Sequence, residues 1–372
     1  MRIIQIVLAA ALTLSAGCSD RSYTPTVPSS LEVGTNRTVF AATTRAPGPD
    51  GSFGPGRSEE LSLLELTVSI PPGRQPGELD FAYGNPKPDL QFTMAGRRKF
   101  SNVDDFRIRL KQEIAEHPDG ERDITLFVHG FNSTQAETAF RAAQLAEDIR
   151  MPGATVIYSW PSLGSPLGYA YDGDSVLFAR DGLEELLRSL KRINSGDLVI
   201  VAHSMGSQLV MDTLRQMEIA EPGWSSDNLG GVVLMSPDLD VEVFRSQVSR
   251  FKSLPQPFVV FSSRGDKILN LSQRLRGTHS RERLGNLENI RSVSDLPIEV
   301  VDITAFEDGQ RGGHFSTATS PALIAILNAA RATADAFGHD NVALANLFPG
   351  RVIQGQKAIE IEVANISADE GS

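Results

Sequence analysis

Six short apolar runs, each closed by a turn signal, limit what this chain can become more than any other feature. They are Ile124–Val128, Thr155–Trp160, Leu198–Ala202, Val232–Met235, Phe258–Phe261 and Ile298–Ile303. None alternates apolar with polar residues, as a strand with one wet face would, so they read as strands covered on both sides in a parallel sheet. Helical patterns lie between several of them. Within Gln135–Arg150, the residues Ala136, Ala139, Phe140, Ala143, Ala146 and Ile149 share one face, and within Ser175–Ile193 so do Leu183, Leu186, Leu187 and Leu190. Ser320-Pro321 ahead of "ALIAILNAA" fits an N-cap followed by a first-turn proline. The expected class is α/β, a mostly parallel central sheet with helices on both faces.

The N-terminus carries a different kind of signal. Met1-Arg2 precedes the apolar run Ile3 to Leu14, and Ser15-Ala16-Gly17-Cys18 follows, the pattern of a secretory signal peptide. The run is too short to span a membrane, which takes about 20 apolar residues. Cys18 is the only cysteine of the 372 residues, so no intrachain disulfide is possible. Its place after Ala16-Gly17 resembles a bacterial lipobox, in which the cysteine is lipidated and becomes the new N-terminus; Ser15 departs from the usual leucine, and Leu14 lies one position further back. Residues 1–17 are therefore expected as leader and residues 18–34, rich in Ser, Thr and Pro, as a flexible tether. The expected location is the cell envelope, lipid-anchored through Cys18, with the domain outside the cytoplasm. Ser19 after the cysteine favours the outer membrane if the cell has two.

One domain is expected over residues 35–347. "TVFAATTR" and "LELTVSIPP" are strand candidates near its start, separated by the Gly/Pro-rich loop "APGPDGSFGPG". The tail, residues 348–372, contains the alternating "IEIEV", which reads either as an added edge strand or as a disordered end. A net charge of -11 argues against nucleic acid as the main partner, since phosphate binding needs basic surface. No protein partner is indicated.

In an open parallel sheet, ligands bind beyond the carboxyl ends of the strands. "ITLFVHGFN" ends in His129-Gly130-Phe131-Asn132, "LVIVAHSMG" in Ser204, "FVVFSSRGD" in Asp266, and "IEVVDITAF" leads into a loop holding His314. Ser204 sits at a strand-to-helix junction where small residues two before and two after it would permit a tight turn; Gly206 fits, and Ala202 stands where glycine is usual. Alone, such a serine reads equally as a helix cap. With the other loops it reads as a nucleophile, His314 as its base and Asp266 as the carboxylate orienting that base. His203 adjoins Ser204 and is expected to point away from its hydroxyl, and His129 is expected to pack or to hydrogen-bond backbone at its strand end. Asp238 and Asp240 in "LMSPDLD" are rivals for the acid, the loser capping the helix that begins near Val241. The backbone N–H groups of Met205 and Phe131 are the candidate oxyanion donors. There is no HExxH, cysteine cluster or P-loop, and neither metal nor organic cofactor is implied.

The segments "TVFAATTR", "LFVHGFN", "VIYSWPS", "VAHSMGS", "LMSPDLD", "SSRGDKIL", "RLG" and "GGHF" together resemble the α/β-hydrolases, in particular a bacterial branch of uncharacterised hydrolases often made as lipoproteins. The resemblance runs from about Arg37 to Ala330 and implies a serine-hydrolase triad on Ser204, Asp266 and His314. It implies an esterase- or lipase-like enzyme that cleaves acyl esters. The alternatives are a non-catalytic envelope binding or scaffold protein on the same fold, and an acyltransferase. The loop "PSLGSPLGYAYDGD" is expected as a rim or lid. Arg281 and Arg283, in an arginine-rich stretch after Asp266, are candidates for holding an anionic headgroup, against the blander reading of a solvated basic face.

Overall fold

The computed structural model describes residues 21, 24–193, 196–264, 266, 269, 272, 283–286, 292–304, 319–320, 324, 350–354 and 359–363. The six apolar runs are strands: β4 (Ile124–Val128), β5 (Ala154–Ser159), β6 (Leu198–His203), β7 (Gly231–Met235), β8 (Phe258–Ser262) and β9 (Glu299–Asp302). Every residue of β4, β5 and β8 is buried, which is why their sequences lack alternation. They belong to an 11-stranded sheet ordered β10-β11-β9-β8-β7-β6-β4-β5-β1-β2-β3, in which β1 is Thr35–Pro47, β2 Phe53–Ile70, β3 Thr93–Lys99, β10 Gly350–Gln354 and β11 Ile359–Val363. Pairing is parallel from β1 through β5, β4, β6, β7, β8 and β9 to β11. Antiparallel strands close both ends, β2 and β3 at one and β10 at the other.

Helices cover both faces. One core packs helix α2 (Gln135–Asp148) against the sheet through Ala139, Phe140 and Ala143, with Val39, Leu66 and Ile157 among the sheet residues beneath. The opposite core collects helices α1 (Val103–Ala115), α4 (Arg180–Lys191), α5 (Met205–Ala220), α6 (Trp224–Asn228) and α7 (Val241–Val248) over the other face. Helix α2 opens on a full capping box, Thr134 with Glu137, which satisfies two N-terminal donors at once.

The structure departs from the sequence expectation in four places. The helix expected over Ser175–Ile193 is two, α3 (Tyr169–Phe178) and α4, joined at Ala179. There the Tyr158 hydroxyl donates to the Ala179 carbonyl at 2.6 Å, and Gly182 lets α4 lie directly against that phenol. The supposed tether is shorter than residues 18–34, because Pro28–Glu32 form a 3-10 helix with Ser30 buried and Val27 N–H bonded to the Met94 carbonyl. Much of the Gly/Pro-rich loop is strand, the turn being confined to residues 48–52. The "IEIEV" segment is β11, inserted between β9 and β10 rather than lying at the edge. The helix expected after Ser320 falls mostly outside the described residues, although Ile324 N–H does bond to the Ser320 carbonyl at 3.0 Å.

Because β11 covers the edge of β9, removing it would expose a parallel strand ready to pair with other chains. A chain ending at Leu347 should melt at lower temperature and elute as soluble aggregate in size-exclusion chromatography; a monodisperse chain of unchanged melting temperature would contradict this role for β11.

Candidate active site

The chain leaves β4 towards β5 on one side and leaves β6 towards β7 on the other, so these adjacent strands flank the switch point of the sheet. Their register pairs Val128 with Ala202, which brings Gly130 and Ser204 together two residues further on. A Cβ on Gly130 would lie 2.7 Å from His203 Nδ1 and 2.8 Å from Ser204 Cβ. On the far side of the serine, a Cβ on Gly206 would lie 2.3 Å from the His129 carbonyl oxygen. Both glycines are required by contact rather than by torsion.

Ser204 has φ 52° and ψ -123° and is only 3% exposed. That conformation costs a non-glycine residue about 1–3 kcal/mol. It is held from both sides: Ser204 N–H donates to the Met235 carbonyl at 3.0 Å, and its carbonyl accepts from Ser207 N–H at 3.0 Å and Asp238 N–H at 3.2 Å. The serine side chain makes no capping hydrogen bond to helix α5, which removes the cap reading. Asn132 after β4 and Ser236 after β7 also have positive φ, so three of the four such non-glycine residues among those described line this one edge. Met205 opens helix α5, where N–H groups have no acceptor within the helix.

The Gly130-Phe131-Asn132 loop is fixed by a buried polar network. Asp172 of α3 accepts from Asn132 N–H at 3.2 Å, Ser162 Oγ at 2.6 Å and Leu163 N–H at 2.6 Å. Arg45 of β1 donates to Ser159 Oγ at 2.9 Å, the Ser162 carbonyl at 2.9 Å and the Ser133 carbonyl at 2.6 Å. Burial lowers the Arg45 guanidinium to about 10, partly offset by Asp172 and Glu137, so it stays charged at neutral pH. Burial likewise raises the Asp172 carboxyl against the pull of its hydrogen bonds. Beside them His129 stacks on Trp160 at 4.7 Å, and Trp160 Nε1 donates to the His129 carbonyl at 2.7 Å. Burial and the nearby Arg45 push the His129 imidazole down to about 3, outweighing the carbonyls of Gly130 and Trp160 at its two nitrogens. A neutral ring fixed in this way is a packing element, as its strand-end position suggested.

The carboxylate candidates separate by their partners. Asp240 caps helix α7, accepting from the Glu242 and Val243 N–H groups. Asp238 is buried, with Tyr169 Oη donating to Oδ2 at 2.6 Å, Ser272 Oγ donating to Oδ1 at 2.8 Å, and Arg283 Nε 3.5 Å from Oδ1. Tyr169 in turn meets Phe131 edge-on at 5.4 Å, so one phenol joins the loop after β4 to Asp238. Asp266 is fully buried after β8, and its Oδ1 accepts from Leu269 N–H at 3.1 Å. The neighbouring Arg264 N–H bonds to Thr304 Oγ1 at 3.0 Å, where the chain leaves β9. His314, Arg281 and Cys18 lie outside the described residues. Arg283 is neither on a solvated face nor open to a headgroup: it is 3% exposed and pairs inward with Asp238. Among the described residues, no group of three or more His, Cys, Asp or Glu is placed to hold a metal ion.

A mostly parallel sheet, covered by helices and carrying a strained serine at its switch point, defines an α/β-hydrolase. The family model described as "Alpha/beta hydrolase of unknown function (DUF900)" matches residues 104–331, and the chain belongs to that family. No curated protein matches it. Similar solved structures include a dienelactone hydrolase from Anabaena variabilis, 11% identical, covering 74% of this chain and 92% of that one with a TM-score of 0.36. A report on two fungal esterases from Rhizomucor miehei supplies another, 14% identical over 83% and 85% with a TM-score of 0.33. A third comes from work on LipS and LipT, two metagenome-derived lipolytic enzymes, at 14% identity over 57% and 94% with a TM-score of 0.36.

Two outcomes follow from this geometry. Gly206→Ala places a methyl group against the His129 carbonyl and should cost on the order of 1–3 kcal/mol in urea unfolding, with an unchanged midpoint counting against the close approach. His129 takes its proton near 6.5 when unfolded but only near 3 when folded, so the unfolded chain binds more protons between those values and stability falls as pH drops through them. The loss by about pH 5 should be roughly 2 kcal/mol. His129→Gln should flatten that slope; an identical slope would exclude His129 as its source.

Proposed function

We propose that this protein is a serine hydrolase that cleaves carboxylic esters through an acyl-enzyme on Ser204. The observation that carries the reading is the Ser204 backbone, strained, wedged between Gly130 and Gly206, and free of any capping duty. A serine held this way at a strand-to-helix turn projects its hydroxyl beyond the sheet. In the proposed cycle Ser204 Oγ attacks the acyl carbonyl carbon while His314 takes its proton. The Met205 and Phe131 N–H groups receive the developing oxyanion, and collapse expels the alcohol with the proton from His314. Water then repeats the sequence on the acyl-enzyme and releases the acid.

Asp266 is assigned as the carboxylate that orients His314. The support is its position after β8, beside the strand that leads into the His314 loop, together with the engagement of both Asp238 oxygens by Tyr169, Ser272 and Arg283. Asp238 then serves as a brace between the oxyanion loop and the turn after β7. The proposed setting is the cell envelope, with the protein held by a lipid on Cys18. Among the described residues no helix is long and apolar enough to cross a membrane.

Fluorophosphonate labelling tests the chemistry. Wild type should label and Ser204→Ala should not, and ester turnover should fall at least about 10⁴-fold in Ser204→Ala, His314→Ala and Asp266→Asn. Equal labelling of wild type and Ser204→Ala would remove the nucleophile. A full loss in Asp238→Asn with none in Asp266→Asn would transfer the acid role. Fatty-acid labelling in cells should vanish in Cys18→Ser; retained label would exclude that anchor.

A further inference from the structure

The N-terminal segment and the active-site rim meet at Arg21. Its guanidinium donates through Nη1 to Asn132 Oδ1 at 2.7 Å and to the Gly164 carbonyl at 2.6 Å, and through Nη2 to the Asn132 carbonyl at 3.3 Å. It also pairs with Glu137 at the start of α2 and donates through Nε to Tyr83 Oη at 3.1 Å. One side chain thus ties the loop after β4, which holds Phe131, to the loop after β5. Cys18 precedes Arg21 by three residues. At no more than about 3.6 Å per residue, its Cα lies within roughly 11 Å of that of Arg21, whatever path the chain takes.

The same rim exposes apolar side chains. Leu167 is 94% exposed and Leu163 38%, on the loop whose Gly164 carbonyl receives Arg21, and Leu177 of α3 is 48% exposed. Among the described residues, three of the eight large exposed hydrophobics fall within this one excursion between β5 and α4. The loop cannot fold inward to hide them, because Asp172 holds Leu163 N–H and Arg21 holds the Gly164 carbonyl.

We propose that the rim carrying Leu163 and Leu167 rests in the lipid bilayer that holds the N-terminal anchor, and that the substrate is an acyl lipid drawn from that same membrane. The inference rests on the lipid-anchored hydrolase reading above. Arg21 places the anchor beside the mouth of the site, and the leucines supply an apolar edge that enters the acyl region on the same side. A lipid ester then reaches Ser204 without crossing water. In the overall step the acyl–oxygen bond of the lipid breaks, the hydroxyl of water ends on the acyl carbon, and its remaining proton ends on the alcohol.

The test uses the full-length protein in vesicles of phosphatidylethanolamine and phosphatidylglycerol carrying a fluorogenic acyl lipid, beside a soluble short-chain ester. Leu167→Asp should leave soluble-ester turnover within about twofold of wild type and lower turnover of the vesicle lipid at least about tenfold. Equal effects on the two substrates, or none on either, would overturn the proposal. Absence of soluble-ester turnover in wild type would instead strike the hydrolase reading itself. Depth is read independently of activity by brominated-lipid quenching of Leu167→Trp against Asp119→Trp, the latter exposed on the turn before β4, at the opposite edge of the sheet. Quenching confined to position 167 supports the docking face, and equal quenching at both positions overturns it. Quenching at 167 with neither ester turned over would keep the face and remove the substrate.

Discussion

The pairing of Val128 with Ala202 is the constraint on which the site depends. It is one rung of a parallel ladder, yet it fixes which residues meet beyond the strand ends: Gly130 against Ser204, and the His129 carbonyl against Gly206. Parallel register has a period of two in side-chain direction, so a slip of one residue would turn the serine into the core and bring its neighbours to the edge. Complete burial of both faces of β4 makes such a slip expensive. The geometry around Ser204 is therefore secured by the same apolar packing that holds the sheet together.

Around that rung the molecule places a set of buried polar groups. Arg45 and Asp172 are desolvated, with their hydrogen-bonding capacity directed largely at the backbone of the loops after β4 and β5. His129 and Trp160 form a neutral stack beside them. Tyr169 bridges to Asp238, which anchors the turn after β7 through its own N–H to the Ser204 carbonyl. A site that must hold a strained serine needs this surplus of contacts, since the strain persists only where the surroundings over-determine it.

Sequence made the frame and the edge legible, for a definite reason. Strands buried on both faces leave unbroken apolar runs, and a tight strand-to-helix turn leaves a small-residue signature around Ser204. The excursions were less legible. Helix α1 carries Phe106, Leu110 and Ile114 on one face, but the charges between them hide the stripe. The break at Ala179 depends on a hydroxyl 21 residues away, and the Ser133, Ser159 and Ser162 partners of Arg45 lie 88 to 117 positions distant, which no local pattern records. Arg283 shows the converse failure: an arginine-rich stretch looks the same in sequence whether a given member faces solvent or turns inward to a carboxylate.

The Arg45 network also decides how the rim can move. Its guanidinium is planar and forked, and it bonds to groups on two different loops at once, so neither loop can open without stranding a buried charge. Lysine, with its point charge and single reaching nitrogen, could not span the same acceptors. The amides of Asn132 and Leu163, 31 positions apart in the chain, both end on Asp172 and share one barrier to solvent. Hydrogen bonds that end on one buried carboxylate are lost together when it moves, which couples the opening of the two loops at the mouth of this site.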